Sequence, residues 1–313
     1  MANDAQPQST GTESIDSLYR TLSTWVTTHA TRAGRASVYS SAYITLIAMT
    51  EVVIATVLLS LPLTLAPVVV GLVTFAVYTG DRLADADDDE VSNPRQAAFV
   101  RRHGDVLYVL VAASYALAVT LSLLGGPVAF GITLLPGAFW VLYASDWVPD
   151  VGLRVSRLKQ VLVVNSAVVA LAWAVTLTFM PLAFADAPVT SVTAVVFTYF
   201  FLRSFVDTEI PNVRDVEADR RTDVATLPVV LGVSGTRRAL YGVDLGTLAL
   251  VGYATVAGVL SLPLSTALVA GLFYSFGIVS FVGRFEDEKL LARLPECEYV
   301  FVAVTLLPFV FTG

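Results

Sequence analysis

Nine apolar segments, at roughly 42–61, 64–79, 106–124, 127–144, 160–181, 188–206, 239–260, 264–282 and 296–312, fill most of the chain after residue 40. Most approach the about 20 residues that a helix needs to cross a bilayer. Such a segment must be helical, because hydrocarbon offers its backbone no other hydrogen-bond partner. The second segment is the shortest, but Pro62 and Pro67 bound it on one side and an acidic run beginning at Asp81 on the other. With 56% hydrophobic residues, 14% charged residues and a mean hydropathy of +0.72, the 313 residues read as one polytopic membrane domain and not as two soluble ones. The expected fold class is therefore all-α, with about nine transmembrane helices.

The connections orient that bundle, because lysine and arginine in short loops stay on the cytoplasmic side. With the spans numbered in order, every basic residue falls before span one or after spans two, four, six and eight. They are Arg20, Arg32 and Arg35; Arg82, Arg95, Arg101 and Arg102; Arg154, Arg157 and Lys159; Arg203, Arg214, Arg220, Arg221, Arg237 and Arg238; and Arg284, Lys289 and Arg293. The opposite connections, near Pro62, Gly125, Asp186 and Pro263, hold none. This partition puts the N-terminus in the cytoplasm and the C-terminus outside the cell membrane. Residues 1–17 are polar, without lysine or arginine, and are expected to form a disordered tail. Residues 18–38 carry Leu18, Leu22, Trp25, Val26 and His29 at helical spacing, as in a helix lying on the membrane surface or a short linker helix. Residues 39–313 form the single membrane domain.

Composition also removes function classes. A formal charge of −7 gives no basic excess for a nucleic-acid partner. Cys297 stands alone, so no intrachain disulfide or thiolate cluster is possible, and two histidines, His29 and His103, make histidine-based zinc chemistry a poor reading.

The densest polar stretch, Glu209 to Gly232, lies between two apolar segments and reads EIPNVRDVEADRRTDVATLPVVLG. Asp215, Asp219 and Asp223 are four residues apart, which on a helix aligns their carboxylates along one face. Like charges so placed repel unless solvent, arginines or a metal offset them. A second row, Asp81, Asp85 and Asp89, follows span two, with Asp87 and Asp88 between. On its own this first row is equally readable as a solvated acidic loop. It is not a calcium EF-hand loop, since Glu90 and Gln96 occupy the places of the required Gly and Glu. Two rows at one membrane face could hold magnesium against a diphosphate, with the interleaved arginines on its remaining oxygens.

These rows, their loops and the nine spans resemble the UbiA superfamily of intramembrane prenyltransferases, whose motifs are similar to N-x-x-x-D-x-x-x-D and D-x-x-D-x-x-x-D. In the second motif Asn212, Asp215 and Asp219 match, with Asn212 replacing an aspartate that varies among members; Asp219, Arg220, Thr226, Leu227, Pro228 and Gly232 match the sequence that trails it. In the first, taking Asp85 and Asp89 as the aspartates puts Asp81 at the asparagine, while taking Asp81 and Asp85 puts Val77 there. The former keeps three oxygen ligands on one face. The resemblance implies a Mg2+-dependent enzyme that binds a prenyl diphosphate at the cytoplasmic mouth and passes the prenyl group to a lipophilic acceptor in the bilayer. It implies Asp81, Asp85, Asp89, Asp215 and Asp219 as metal ligands, Asp85, Asp215 and Asp219 as the catalytic set, and Asn212, Arg82, Arg220 and Lys159 as further contacts of the metal and diphosphate. For Arg82 and Lys159, ordinary positive-inside topology is an equally available reading.

Within the spans, Glu51 is an ionisable group where one is costly. It reads either as a group that orients or deprotonates the acceptor or as a glutamic acid bonded to another helix. Asn165 reads as cavity-facing or helix-bonding, Asp244 as interfacial, and Tyr143, Trp147 and Tyr199 as belt or packing residues. Glu286, Asp287, Glu288, Glu296 and Glu298, irregularly spaced, read as solvated surface. A cation-coupled transporter is the alternative from another class, disfavoured because the acids lie in loops and not at the midplane. A phosphatidyl-alcohol transferase would need D-x-x-D-G, and Ala86 follows Asp85.

Overall fold

The computed structural model describes residues 41–86, 94–144, 164–221, 225–285, 288–291 and 294–312, with the side chains of 137–144, 164–165, 218, 288–289 and 309–312 excepted. Among these residues every regular element is helical. In chain order they are α1 (Ala42–Leu58), α2 (Ala66–Ala84), α3 (Pro94–Ser122), a 3-10 turn (Leu123–Gly125), α4 (Gly126–Ala144), α5 (Val164–Phe184), α6 (Ser191–Arg221), α7 (Leu227–Val256), α8 (Leu262–Phe281), the short α9 (Glu288–Leu291) and α10 (Cys297–Thr312). Prolines near the starts of α2, α7 and α8 occupy first-turn positions, where no N–H partner exists to lose.

The described parts of the apolar segments are largely helical, and among the described residues five helical stretches are long and apolar enough to cross a membrane. Many large apolar side chains point outward, among them Leu124, Tyr253, Val256 and Phe273, as expected where the surrounding solvent is lipid. The chain is thus a multi-pass helical membrane protein. The helices exceed the apolar segments at their polar ends. α3 begins at Pro94, α6 runs on to Arg221, and α7 begins at Leu227, so much of the sequence expected to be loop is helix. Residues 1–40, including the expected tail and interfacial helix, lie outside the described residues.

Two apolar clusters form the core. The larger joins α1, α2, α5, α6, α8 and α10 around Val52, Ala55, Val69, Leu177, Phe200 and Val302. The smaller packs Val206, Ile210 and Val213 of α6 on Leu240, Ile278, Val279 and Leu291. Between them sits Arg203, only 1% exposed. Its guanidinium binds Glu298 of α10 with two hydrogen bonds, Nε to Oε1 at 3.0 Å and Nη2 to Oε2 at 2.5 Å. Nη1 donates to Asp244 of α7 at 2.5 Å, and Asp207 lies 3.6 Å away. Hydroxyls complete the network: Tyr199 donates to Glu298, Ser275 of α8 to Asp244, and Tyr299 to Asp207 at 2.6 Å.

This network corrects three sequence expectations. Arg203 is not a loop cation, Asp244 is not interfacial, and Glu298 is not solvated surface; Asp244 and Glu298 are fully buried. Charge in a low-dielectric interior is tolerated where bidentate pairing and extra donors satisfy it. Gly271 makes room for that pairing. A Cβ there would overlap Val302 and come within 3.2 Å of Glu298 Oε1, so the glycine lets α10 approach α8 closely enough to deliver Glu298.

Arg203→Leu is expected to cost about 3–5 kcal/mol, because it strands buried carboxylates on three helices without a counter-charge. Thermal unfolding in detergent micelles measures it; a melting temperature within 1–2 °C of wild type, at this scale of cost, would remove the network from any account of the fold.

Candidate active site

The second acidic row is built on the C-terminal extension of α6. Ile210 and Val213 anchor one face of that extension in the smaller core, which turns Arg214, Glu217 and Arg220 to solvent and leaves Asp215 and Asp219 half-exposed. Pro211 marks where the buried span gives way to the extension: lacking an N–H, it cannot bond the Asp207 carbonyl one turn earlier.

The Thr226-Leu227-Pro228 turn folds back on this helix. The Thr226 hydroxyl donates to Asp219 Oδ2 at 3.2 Å, and the Leu227 N–H, at the first turn of α7, donates to Glu209 Oε2 at 3.3 Å. The same Glu209 oxygen accepts from Asn212 Nδ2 at 3.2 Å, and Nδ2 also donates to Ser166 of α5 at 3.4 Å. Three helices therefore meet at one buried carboxylate. Glu209 and Thr226 were not singled out as site residues. The available signal was the i, i+3 spacing of Glu209 and Asn212, which puts both on one helix face.

Asp215 accepts two hydrogen bonds from its neighbour Arg214, both at 2.7 Å. Both side chains are more than a third exposed, and a pair of this kind is worth about 0–1 kcal/mol. Partial burial raises the Asp219 carboxyl above the ordinary aspartate range; the Thr226 hydrogen bond opposes the rise and the Asp215 charge adds to it. Arg220 pairs with Glu217 at 3.0 Å on the exposed side.

The first row ends α2. Asp81 is exposed, Arg82 half-buried in the last turn, and Asp85 exposed at its C-terminal cap. Asp89, Lys159, Asp223 and Trp147 lie outside the described residues, as do Asp87, Asp88, Glu286 and Asp287. α2 packs chiefly on α1 and α3, and α6 on α5 and α7; among the described residues no group of three His, Cys, Asp or Glu side chains could hold a metal ion. Glu51 is buried on α1, beside Val52 and Ala55.

Gly232 adjusts the segment that follows. Its φ of 68° and ψ of 165° break α7 after its first turns, in a region that is almost exclusively glycine's. A Cβ there would meet nothing within 4 Å, so a substitution pays backbone strain alone.

Residues 42–294 match the model of the UbiA prenyltransferase family. No curated protein matches in sequence. Among solved structures, a UbiA homologue from Aeropyrum pernix K1 in its apo form is 15% identical with a TM-score of 0.64, covering 86% of this chain and 98% of its own. A UbiA homologue from Archaeoglobus fulgidus bound to GPP and Mg2+ is 15% identical with a TM-score of 0.61, covering 89% and 98%. A structure of digeranylgeranylglyceryl phosphate synthase is 13% identical with a TM-score of 0.51, covering 90% and 94%.

Gly232→Ala is expected to destabilise the protein by about 1–3 kcal/mol through strain at one backbone position. A thermal-shift comparison checks this; an unchanged melting temperature means that α7 straightens there without cost.

Proposed function

The chain belongs to the UbiA prenyltransferase family, and from that premise we propose that it transfers the prenyl group of a prenyl diphosphate to a lipophilic acceptor inside the bilayer, with Mg2+ at the mouth formed by the ends of α2 and α6. The observation that supports this reading most is the placement of Asp215 and Asp219 on successive turns of one half-exposed helix end, with the Thr226 turn bonded back onto Asp219.

The donors suit the metal. They are hard oxygens in two rows, and magnesium takes one or two carboxylates while keeping water and phosphate oxygens. Asp215, Asp219 and Asn212 would hold it from α6, and Asp81, Asp85 and Asp89 from α2. A diphosphate, itself an oxygen ligand, would bridge the two rows through the ion. When bound, the ion would supply positive charge to the departing diphosphate.

The chain's own groups have three tasks. Arg82, Arg220 and Lys159 would reach the remaining diphosphate oxygens; for Arg220 this means leaving its exposed pair with Glu217, a weak bond. The apolar bundle would shield the allylic carbon from water once its C–O bond breaks and the electron pair departs with diphosphate. The acceptor then donates an electron pair to that carbon and releases a proton. The first motif is read with Asp85 and Asp89 as its aspartates and Asp81 in the asparagine place. Both loops are assigned to the cytoplasmic side. In the sequence no basic cluster outside the motif loops would fix a phosphorylated or carboxylated acceptor, which favours an apolar one.

Asp215→Ala and Asp219→Ala are each expected to lower transfer at least ~100-fold while leaving insertion and melting intact. The check is an assay of membranes with labelled prenyl diphosphates of several lengths, Mg2+ and a panel of lipophilic acceptors. Full activity in both variants would sink the proposal.

A further inference from the structure

Glu209 is fully buried, and the groups that face it among the described residues are the Asn212 amide, the Leu227 N–H and the Ser166 hydroxyl. One oxygen, Oε2, takes both the Asn212 amide and the Leu227 N–H. The other, Oε1, is buried with no hydrogen-bond partner among the described residues. A carboxylate in such a place is costly, and a glutamine would accept the same two hydrogen bonds. What a carboxylate adds is that it can only accept.

That one-sidedness settles the orientation of Asn212. The amide has to turn its NH2 towards Glu209, because the reverse orientation would set Asn212 Oδ1 against a carboxylate oxygen. Its N–H groups are then taken by Glu209 and Ser166, and Oδ1 has no hydrogen-bond partner among the described residues. Asn212 is half-exposed and three residues before Asp215 on α6, so Oδ1 becomes an oxygen that can be offered to a cation.

We propose that Glu209 is a positioning residue, which holds Asn212 as a donor towards itself so that the asparagine oxygen joins Asp215 and Asp219 at the mouth. The inference rests on the metal–diphosphate reading of that mouth. Through Leu227 the same carboxylate keeps the turn in which Thr226 bonds Asp219, so one buried group orients Asn212 and supports Asp219. It also explains why asparagine stands at 212: an aspartate there would face Glu209 at about the 3.2 Å of the present hydrogen bond, with two negative charges in contact.

The test is Mn2+ titration followed by electron paramagnetic resonance, on the full chain in lipid nanodiscs with inorganic diphosphate present. Wild type is expected to bind Mn2+ and Asp215→Ala to lose it. Glu209→Ala should bind at least 10-fold more weakly, within the 10–100-fold typical of groups that orient ligands. Asn212→Asp should also bind at least 10-fold more weakly, although it adds a carboxylate. The double variant E209Q/N212D should return to within about 3-fold of wild type, because it removes the charge conflict and keeps an acceptor for Leu227.

A residue that merely caps α7 does not produce that recovery. If Glu209→Ala fails to fold, the comparison of Asn212→Asp with the double variant decides alone. Binding equal to or tighter than wild type in Asn212→Asp, or no recovery in the double variant, overturns the inference while the metal site stands. Equal binding by wild type and Asp215→Ala overturns the metal site and the inference with it.

Discussion

One guanidinium, that of Arg203, ties α6 to α7 and α10, with Ser275 of α8 joining through Asp244. In a bilayer the helices gain little from burying apolar faces against one another, since lipid is as apolar as leucine. Directional polar contacts and close approach therefore carry the specificity of packing. The Arg203 network supplies the first, and Gly271 the second where α8 meets α10. Asp215 lies 12 residues further along the same helix, about 18 Å at 1.5 Å per residue. Whatever fixes Arg203 in the bundle also fixes the height and rotation at which α6 emerges, and with them the direction of its aspartates.

The second constraint acts at the emergence itself. An exposed helix end of mixed charge has little reason to hold one arrangement, and Pro211 removes a backbone bond just where support is needed. Apolar contacts from Ile210 and Val213 below, and hydrogen bonds from Asn212, Leu227 and Thr226 beside, replace it. The sequence that trails the acidic row is thus part of the same device. Threonine supplies a hydroxyl to Asp219, leucine a backbone N–H to Glu209, proline a first-turn residue that loses nothing, and Gly232 the backbone shape that lets α7 set off again.

The apolar runs made the helices legible because a spanning helix must be apolar along its length, and that property is local. The extensions of α3, α6 and α7 were not legible, since polar helix outside the membrane has no such requirement and its pattern blends into loop. The Arg203 network was misread for a different reason. Arg203 is 41 residues from Asp244 and 95 from Glu298 in sequence, so each was judged by its neighbours: Arg203 by the loop it adjoins, Glu298 by the acids around it. The acidic rows were found by spacing. Which acids are spoken for by other groups depends on contacts across helices, and spacing does not carry that information.

α6 shows why the distinction matters, because Asp207, Glu209, Asp215 and Asp219 all lie within its last turns. Helical position alone would make each a ligand. Their partners separate them: Asp207 takes the Tyr299 hydroxyl beside Arg203, and Glu209 takes an amide and a helix N–H in full burial. Asp215 takes the guanidinium of the surface residue Arg214, and Asp219 keeps partial exposure beside Thr226. Burial with fixed donors makes the first two parts of the frame, since moving a cation into them would require breaking bonds that nothing else can replace. The last two are partly exposed, and the Arg214 pair of Asp215 lies at the surface. A row of acids on a membrane helix is therefore divided by depth: the deeper members are committed to holding the helix, and the shallower ones are those to which the proposed function assigns an ion.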